Sequence, residues 1–342
     1  MSMKPLKPGD PDKFGGIVLR GRLGEGGMGT VYFGITPDGD RVAVKTIRQD
    51  LTENEEAKNR FDREIIVLGM VAGPRIAALL AASEPDDVPP CFATEYVQGL
   101  TLSEYVTERG PLSTAMAAAL GVMLAEGLND IHAAGLLHRD FKPGNVILGP
   151  DGPRVIDFGL AALKDSTGDI THTSGMLGTP VCMAPEQAVS PKDLTAAVDI
   201  YALGAVLMFS MTGRYPYERP TVPALLLAVA DPATDPDLSG LPEEIKQLIT
   251  GMLAHHPASR RSLADVTAEL KKILNDAGLS LTAAQSEFAQ LTYMERDTDP
   301  PPAPPAPTTS RKRLPGNPHV PTDMVRQVAE NLRLEYARGA AL

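Results

Sequence analysis

Between His138 and Asn145 the chain sets an acid, two bases and a carboxamide within eight residues: His138-Arg139-Asp140-Phe141-Lys142-Pro143-Gly144-Asn145. Pro143 stiffens the turn between them. A short apolar run follows (Val146-Ile147-Leu148), then a turn (Gly149-Pro150-Asp151-Gly152-Pro153), then Arg154-Val155-Ile156. That pattern predicts two short strands folded back on each other. Such a hairpin returns Asp157-Phe158-Gly159 to the side of the first stretch, so the oxygens of Asp140, Asn145 and Asp157 converge at one end of it. Hard oxygen ligands with open coordination positions suit magnesium carrying a phosphate substrate.

Phosphate chemistry needs a clamp and a cation, and the first hundred residues supply candidates. Val18–Leu23 reads as a strand leading into Gly24-Glu25-Gly26-Gly27-Met28-Gly29-Thr30-Val31. A bare G-x-G-x-x-G also occurs in dinucleotide-binding folds, where the glycines open a helix. Here Val31-Tyr32-Phe33-Gly34 reads as another strand, followed by a turn at Pro37–Asp40 and the β-branched run Arg41–Lys45. A glycine loop between two hairpin strands is a flap whose backbone N–H groups approach oxygens closely. Lys45 is expected at the end of its strand. A helix is expected to open at Thr52, with a capping box to Glu55. Its buried stripe is read as Phe61, Ile65 and Leu68, with Glu64 on the border.

At this point the chain resembles the protein kinases, because H-R-D-x-K-P-x-N followed by D-F-G is half of their signature set. The resemblance implies an α+β, two-lobed kinase fold: a small, mainly antiparallel β N-lobe with one key helix, and a larger, mainly helical C-lobe. It implies ATP and Mg2+. Lys45 would pair with the nucleotide phosphates and Glu64 would hold Lys45. Asp140 would accept the hydroxyl proton of a protein serine or threonine. Lys142 would face the transferring phosphate, and Asn145 and Asp157 would bind magnesium. The nucleotide would meet Leu23, the turn Gly24, Glu25, Gly26, Gly27, Met28 and Gly29, the apolar plates Val31, Ala43 and Ile147, and Thr94. The backbone of Glu95 and Val97, in a strand read as Cys91–Val97, would meet the adenine edge. His138 is expected as a packed structural residue bracing Phe158. Asp199 is expected to tie down the catalytic loop, and Arg260 to pair Glu186.

Residues 157–186 resemble an activation segment at both ends. Thr171 and Thr173 are its expected regulatory phosphosites, with Arg139 as the pairing cation. Thr179 would face Asp140 and Lys142. Cys182 departs from the family's usual tyrosine or tryptophan, and Arg261 from its proline. The phrase Pro185-Glu186-Gln187-Ala188 and the lean insertions look most like the bacterial eukaryotic-like serine/threonine kinases. Two rivals differ in class: a nucleotide-binding pseudokinase scaffold, and a small-molecule phosphotransferase. Intact Lys45, Asp140, Asn145 and Asp157 disfavour the first, and the peptide-side segment 178–186 disfavours the second.

Composition sets outer bounds. A net charge of −11 argues against nonspecific nucleic-acid binding. The longest apolar runs, around 200–209 and 224–230, fall short of the ~18 residues a membrane span needs. The first residues lack a secretory h-region, and Cys91 and Cys182 are too few for a disulfide framework. A cytoplasmic location is therefore expected, with serine- or threonine-bearing proteins as substrates and a homodimer as the arrangement for trans-autophosphorylation. The expected organisation is a flexible leader 1–13, N-lobe 14–97 and C-lobe 98–275. A helix-capable stretch 276–298 follows, then a Pro-rich and basic linker 299–320. An amphipathic helix 321–342 has Val325, Val328, Leu332 and Tyr336 on one stripe.

Overall fold

The computed structural model describes residues 3–26, 29–47, 55–83, 90–157, 180–189 and 194–294, leaving aside the side chains of 55–60 and 63. The chain divides into two compact units, one of Ser2–Met70 with Ala78–Tyr96 and one of Val71–Ala77 with Val97–Asp297.

The smaller unit is an antiparallel sheet built from β1 (Lys13–Phe14), β2 (Ile17–Glu25), β3 (Gly29–Ile35), β4 (Arg41–Ile47), β5 (Leu79–Ala82) and β6 (Cys91–Glu95). Their spatial order is β1-β2-β3-β4-β6-β5. Alternation along the strands sorts two faces. Leu19, Tyr32, Val42, Val44 and Ala93 make an apolar cluster on one. The register pairs Val31 with Lys45, Ala43 with Thr94 and Lys45 with Phe92, which puts these five on the other face. The helix α1 (Glu55–Met70) belongs to this unit and packs Phe61 against Phe92, ring centroids 5.1 Å apart. Its buried positions are Phe61, Glu64, Val67 and Leu68, while Ile65 is half-buried. The expected stripe is thus corrected, and Glu64 lies within the buried face. Position 52 falls outside the described residues.

In the larger unit, β7 (Leu100–Thr101), β8 (Val146–Gly149) and β9 (Gly152–Val155) form a small sheet among helices. The hairpin turn is tighter than the sequence suggests, because Gly149 pairs with Gly152 and only Pro150 and Asp151 lie between them. Ile156 is outside the strand. α2 (Leu102–Arg109) opens on a capping box in which Thr101 accepts from the Glu104 N–H at 3.1 Å and the Glu104 carboxylate accepts from the Thr101 N–H at 2.9 Å. α3 (Thr114–Ala133) starts where the Ser113 hydroxyl accepts from the Met116 N–H. It is apolar on nearly every side, as a helix at the centre of a core must be. α4 (Pro185–Val189), α5 (Ala197–Thr212), α6 (Val222–Ala230), α7 (Glu243–Met252) and α8 (Leu263–Asp276) follow. α5 is buried almost throughout and ends at Gly213, whose φ of 69° supplies the left-handed cap. α9 (Leu281–Thr292) buries Ala284, Phe288 and Thr292 completely, at i, i+4 and i+8. It packs against α3, β8 and β9 and so belongs to the same compact unit.

Candidate active site

The stretch after α3 is held by a buried carboxylate. Asp199 is fully buried in the first turn of α5, and it accepts from the backbone N–H groups of His138 and Arg139, each at 2.9 Å. His132 Nε2 lies 2.8 Å from the same carboxylate. Burial alone would raise the Asp199 pKa, but the His132 hydrogen bond, the nearby imidazoles and the Arg139 N–H outweigh it and hold the group below its usual range. This anchoring explains a strained residue. Arg139 adopts φ 63°, and the Asp140 N–H reaches back to the His138 carbonyl at 2.8 Å. A left-handed conformation costs a non-glycine residue on the order of 1 kcal/mol. It persists here because both peptide groups flanking the Arg139 Cα are tethered. The Gln187 amide donates to the Arg139 carbonyl at 2.9 Å while Asp199 takes its N–H.

Asp140 sits at the exit of that turn, its side chain 45% exposed. Lys142 Nζ lies 2.5 Å from Asp140 Oδ2. The Asn145 amide nitrogen donates to the Asp140 carbonyl at 3.0 Å and to Oδ2 at 3.3 Å. That orientation commits the nitrogen of Asn145 to the loop and turns its carbonyl oxygen, the hard donor, elsewhere. Asp157 follows β9 by two residues and has φ 53°. The side-chain oxygens of Asn145 and Asp157 are hard donors of the kind magnesium takes. His138 is 1% exposed and packs edge-on against Phe141, centroids 5.2 Å apart. Burial holds its imidazole below the usual range, against the pull of Asp199. Behind the loop, Arg260 forks onto both oxygens of Glu186 at 2.5 and 2.8 Å. Cys182 is buried, and its thiol is pushed up by desolvation.

In the smaller unit Lys45 Nζ meets Glu64 Oε1 at 2.5 Å, with the carboxylate side chain 6% exposed. Lys45 is not at a strand end. β4 runs on through Ile47, because Ile47 is buried and pairs with Gly29. Lys45 is therefore flanked on both sides, by Val31 and by Phe92. Leu23 is the extra residue where the β2–β3 register slips between Arg22 and Gly24. Gly29 has a structural reason of its own: a Cβ there would come within 1.7 Å of the Thr46 carbonyl. The last glycine of the turn therefore serves close strand packing. β6 ends at Glu95, two residues short of the predicted strand. The Glu95 N–H donates to the Ala78 carbonyl at 2.8 Å, so an adenine edge would meet only the carbonyl of that residue. Val97 is buried beside Gly149, and Ile147 is half-buried in β8.

Gly27, Met28, Phe158, Thr171, Thr173, Thr179 and the stretch 299–342 lie outside the described residues. Sequence reasoning missed His132 and Gln187. A polar residue closing an apolar helix was the signal for the first; the second stood in the phrase Pro185-Glu186-Gln187-Ala188, read only for its likeness to the bacterial kinases.

The chain matches the family described as protein kinase domain over residues 17–270. It is 39% identical over 268 residues to the probable serine/threonine-protein kinase PkwA of Thermomonospora curvata, covering 78% of this chain and 35% of that protein. With the serine/threonine-protein kinase AfsK of Streptomyces coelicolor it shares 40% over 271 residues, 79% of this chain and 33% of that one. The crystal structure of Rad53 1-466 in complex with AMP-PNP superposes with a TM-score of 0.60 at 23% identity, over 74% of this chain and 64% of the other. This chain belongs to the protein kinase family and has its fold. It spans about a third of the length of the curated relatives it matches. Among the described residues no helix is long and apolar enough to cross a membrane.

Proposed function

We propose that the chain is a serine/threonine protein kinase that moves the γ-phosphoryl group of ATP to protein hydroxyls. The observation that carries this reading is the Asp140–Lys142 pair at 2.5 Å, held on a loop whose strained turn is fixed by Asp199. Asp140 accepts the proton of the incoming hydroxyl, and Lys142, beside it, faces the negative charge spread over the transferring group. Lys45, fixed in direction by Glu64, takes oxygens of the remaining phosphates. Magnesium, when held by Asn145 and Asp157, neutralises phosphate charge. The names of PkwA and AfsK support serine and threonine as acceptors.

Purified protein with labelled ATP and a generic protein acceptor tests this directly. Transfer to serine and threonine is expected, with a loss of at least ~100-fold in Asp140→Asn. Nucleotide binding with no transfer by the unaltered chain would instead favour the pseudokinase, and labelling confined to a small molecule would favour the small-molecule phosphotransferase. We also propose that Thr171 and Thr173 are autophosphorylated in trans within a homodimer, in the cytoplasm, and that Arg139 pairs the added charge. Mass spectrometry of active enzyme showing both threonines unmodified would overturn that switch. The six-part organisation from leader to terminal helix is likewise proposed, with one change to the leader that follows.

A further inference from the structure

Residues 3–12, read from sequence as a flexible leader, lie along the outer edge of the small sheet. Lys4 and Arg22 exchange both backbone hydrogen bonds, at 2.8 and 2.7 Å. The contact falls between the two places where the β2–β3 register slips. Side chains lock it. The Asp10 carboxylate, 5% exposed, accepts from Arg22 Nε at 2.6 Å and also from Arg22 Nη2. It accepts further from the Lys7 N–H at 2.7 Å and the Tyr32 hydroxyl at 3.0 Å. Leu6 and Phe14 cover the apolar cluster of Leu19, Tyr32 and Val44. A side chain at Gly21 would collide with Met3, so β2 is shaped to receive the leader.

The lock reaches the glycine turn through one residue. Glu25 is the only described residue between Gly24 and Gly29 with a side chain. Lys7 donates to Glu25 Oε2 at 2.8 Å, and Arg22 Nη1 donates to the same oxygen at 2.9 Å. Arg22 therefore holds Asp10 with one edge of its guanidinium and Glu25 with the other. Glycines have no side chains with which to fix a loop, and their backbone freedom must be restrained from elsewhere. We infer that the leader is a strap and that Asp10 and Lys7 are positioning residues for residues 24–26, the start of the glycine turn, acting through Arg22 and Glu25. The strap holds Glu25 and its neighbours in place before nucleotide binds, so its loss weakens nucleotide affinity more than turnover. This rests on the kinase reading for its ligand.

The test uses the full chain with Asp10→Asn, Lys7→Ala, and Lys45→Met as a reference that leaves the strap intact. Asp10→Asn is expected to raise the KM for ATP about fivefold with kcat changed less than twofold, a split that general destabilisation would not give. Lys7→Ala, on a side chain 57% exposed, keeps the fold and is expected to raise KM about twofold at low salt only. Hydrogen exchange without nucleotide reads the strap whether or not the chain turns over ATP. Amides 20–31 should exchange faster in Asp10→Asn and unchanged in Lys45→Met. An unaltered KM in both strap variants together with unaltered exchange over 20–31 overturns the strap. Faster exchange in a chain that never transfers phosphate overturns only the kinase reading.

Discussion

The catalytic loop of the larger unit and the start of the glycine turn in the smaller one, residues 24–26, are held by opposite means. Asp199, with no exposed surface, grips the catalytic loop from beneath through its main chain, and Gln187 adds a second tether. The glycine turn is gripped from outside, by an exposed carboxylate reached from the leader and from Arg22. A buried charge holding N–H groups in low dielectric is stiff and costly to lose, while a surface grip is weak and screened. One segment is therefore held firmly and the other only weakly.

The largest effect should come from removing the inner grip. Asp199→Asn keeps the volume but loses the charge that gathers two N–H groups and His132. A loss of about 2–4 kcal/mol in urea unfolding is expected, with kcat reduced at least ~100-fold. Loss of stability alone, with kcat intact, would mean that the Arg139 turn holds its shape without Asp199. Next is Lys45→Met, which touches the chemistry and neither grip. Phosphoryl transfer should fall by on the order of 3 kcal/mol of transition-state stabilisation, with thermal stability little changed.

Arg260→Lys asks whether the platform behind the catalytic loop depends on a fork. A lysine reaches one Glu186 oxygen and cannot reproduce the bidentate pair, so about 2 kcal/mol of stability should be lost. An unshifted thermal midpoint would show that the carbonyls around Arg260 suffice. An effect no larger belongs to the outer grip and is read by pH. Arg22, foremost, together with the Lys7 N–H and the Tyr32 hydroxyl, lowers the Asp10 pKa from 3.8 to about 2. A carboxylate depressed in the folded state stabilises it above the unfolded pKa, and that contribution fades as pH falls through the folded value. Wild type should therefore exceed Asp10→Asn by about 2 kcal/mol at neutral pH. The gap should close between about pH 4 and about pH 2. A gap independent of pH would assign the loss to packing.

Much of this protein is legible in its amino-acid sequence. The spacing from His138 to Asp157 announces a hairpin carrying acid, cation and carboxamide, and the hairpin is there. The strands read at 31–34 and 41–45 are local signals, because each depends on residues within one strand pair. The determinants that escape such reading are non-local. Lys45 reads as terminal because Thr46 and Ile47 reveal their strand only through pairing with Gly29 and Cys91. Ile65 and Val67 exchange importance because the sheet beneath α1, and not helical period alone, decides which side is covered. The charge of Asp10 could belong to any surface turn. Only folding brings it to Arg22, twelve residues on, and to Tyr32, twenty-two residues on. By itself the sequence determined the kinase family and named the candidate residues for phosphate chemistry, since that chemistry demands particular side chains at short spacing. Tertiary structure alone decided the further partners that hold them still, since restraint also comes from buried groups such as Gln187 and Asp10, and burial is a property of the whole fold.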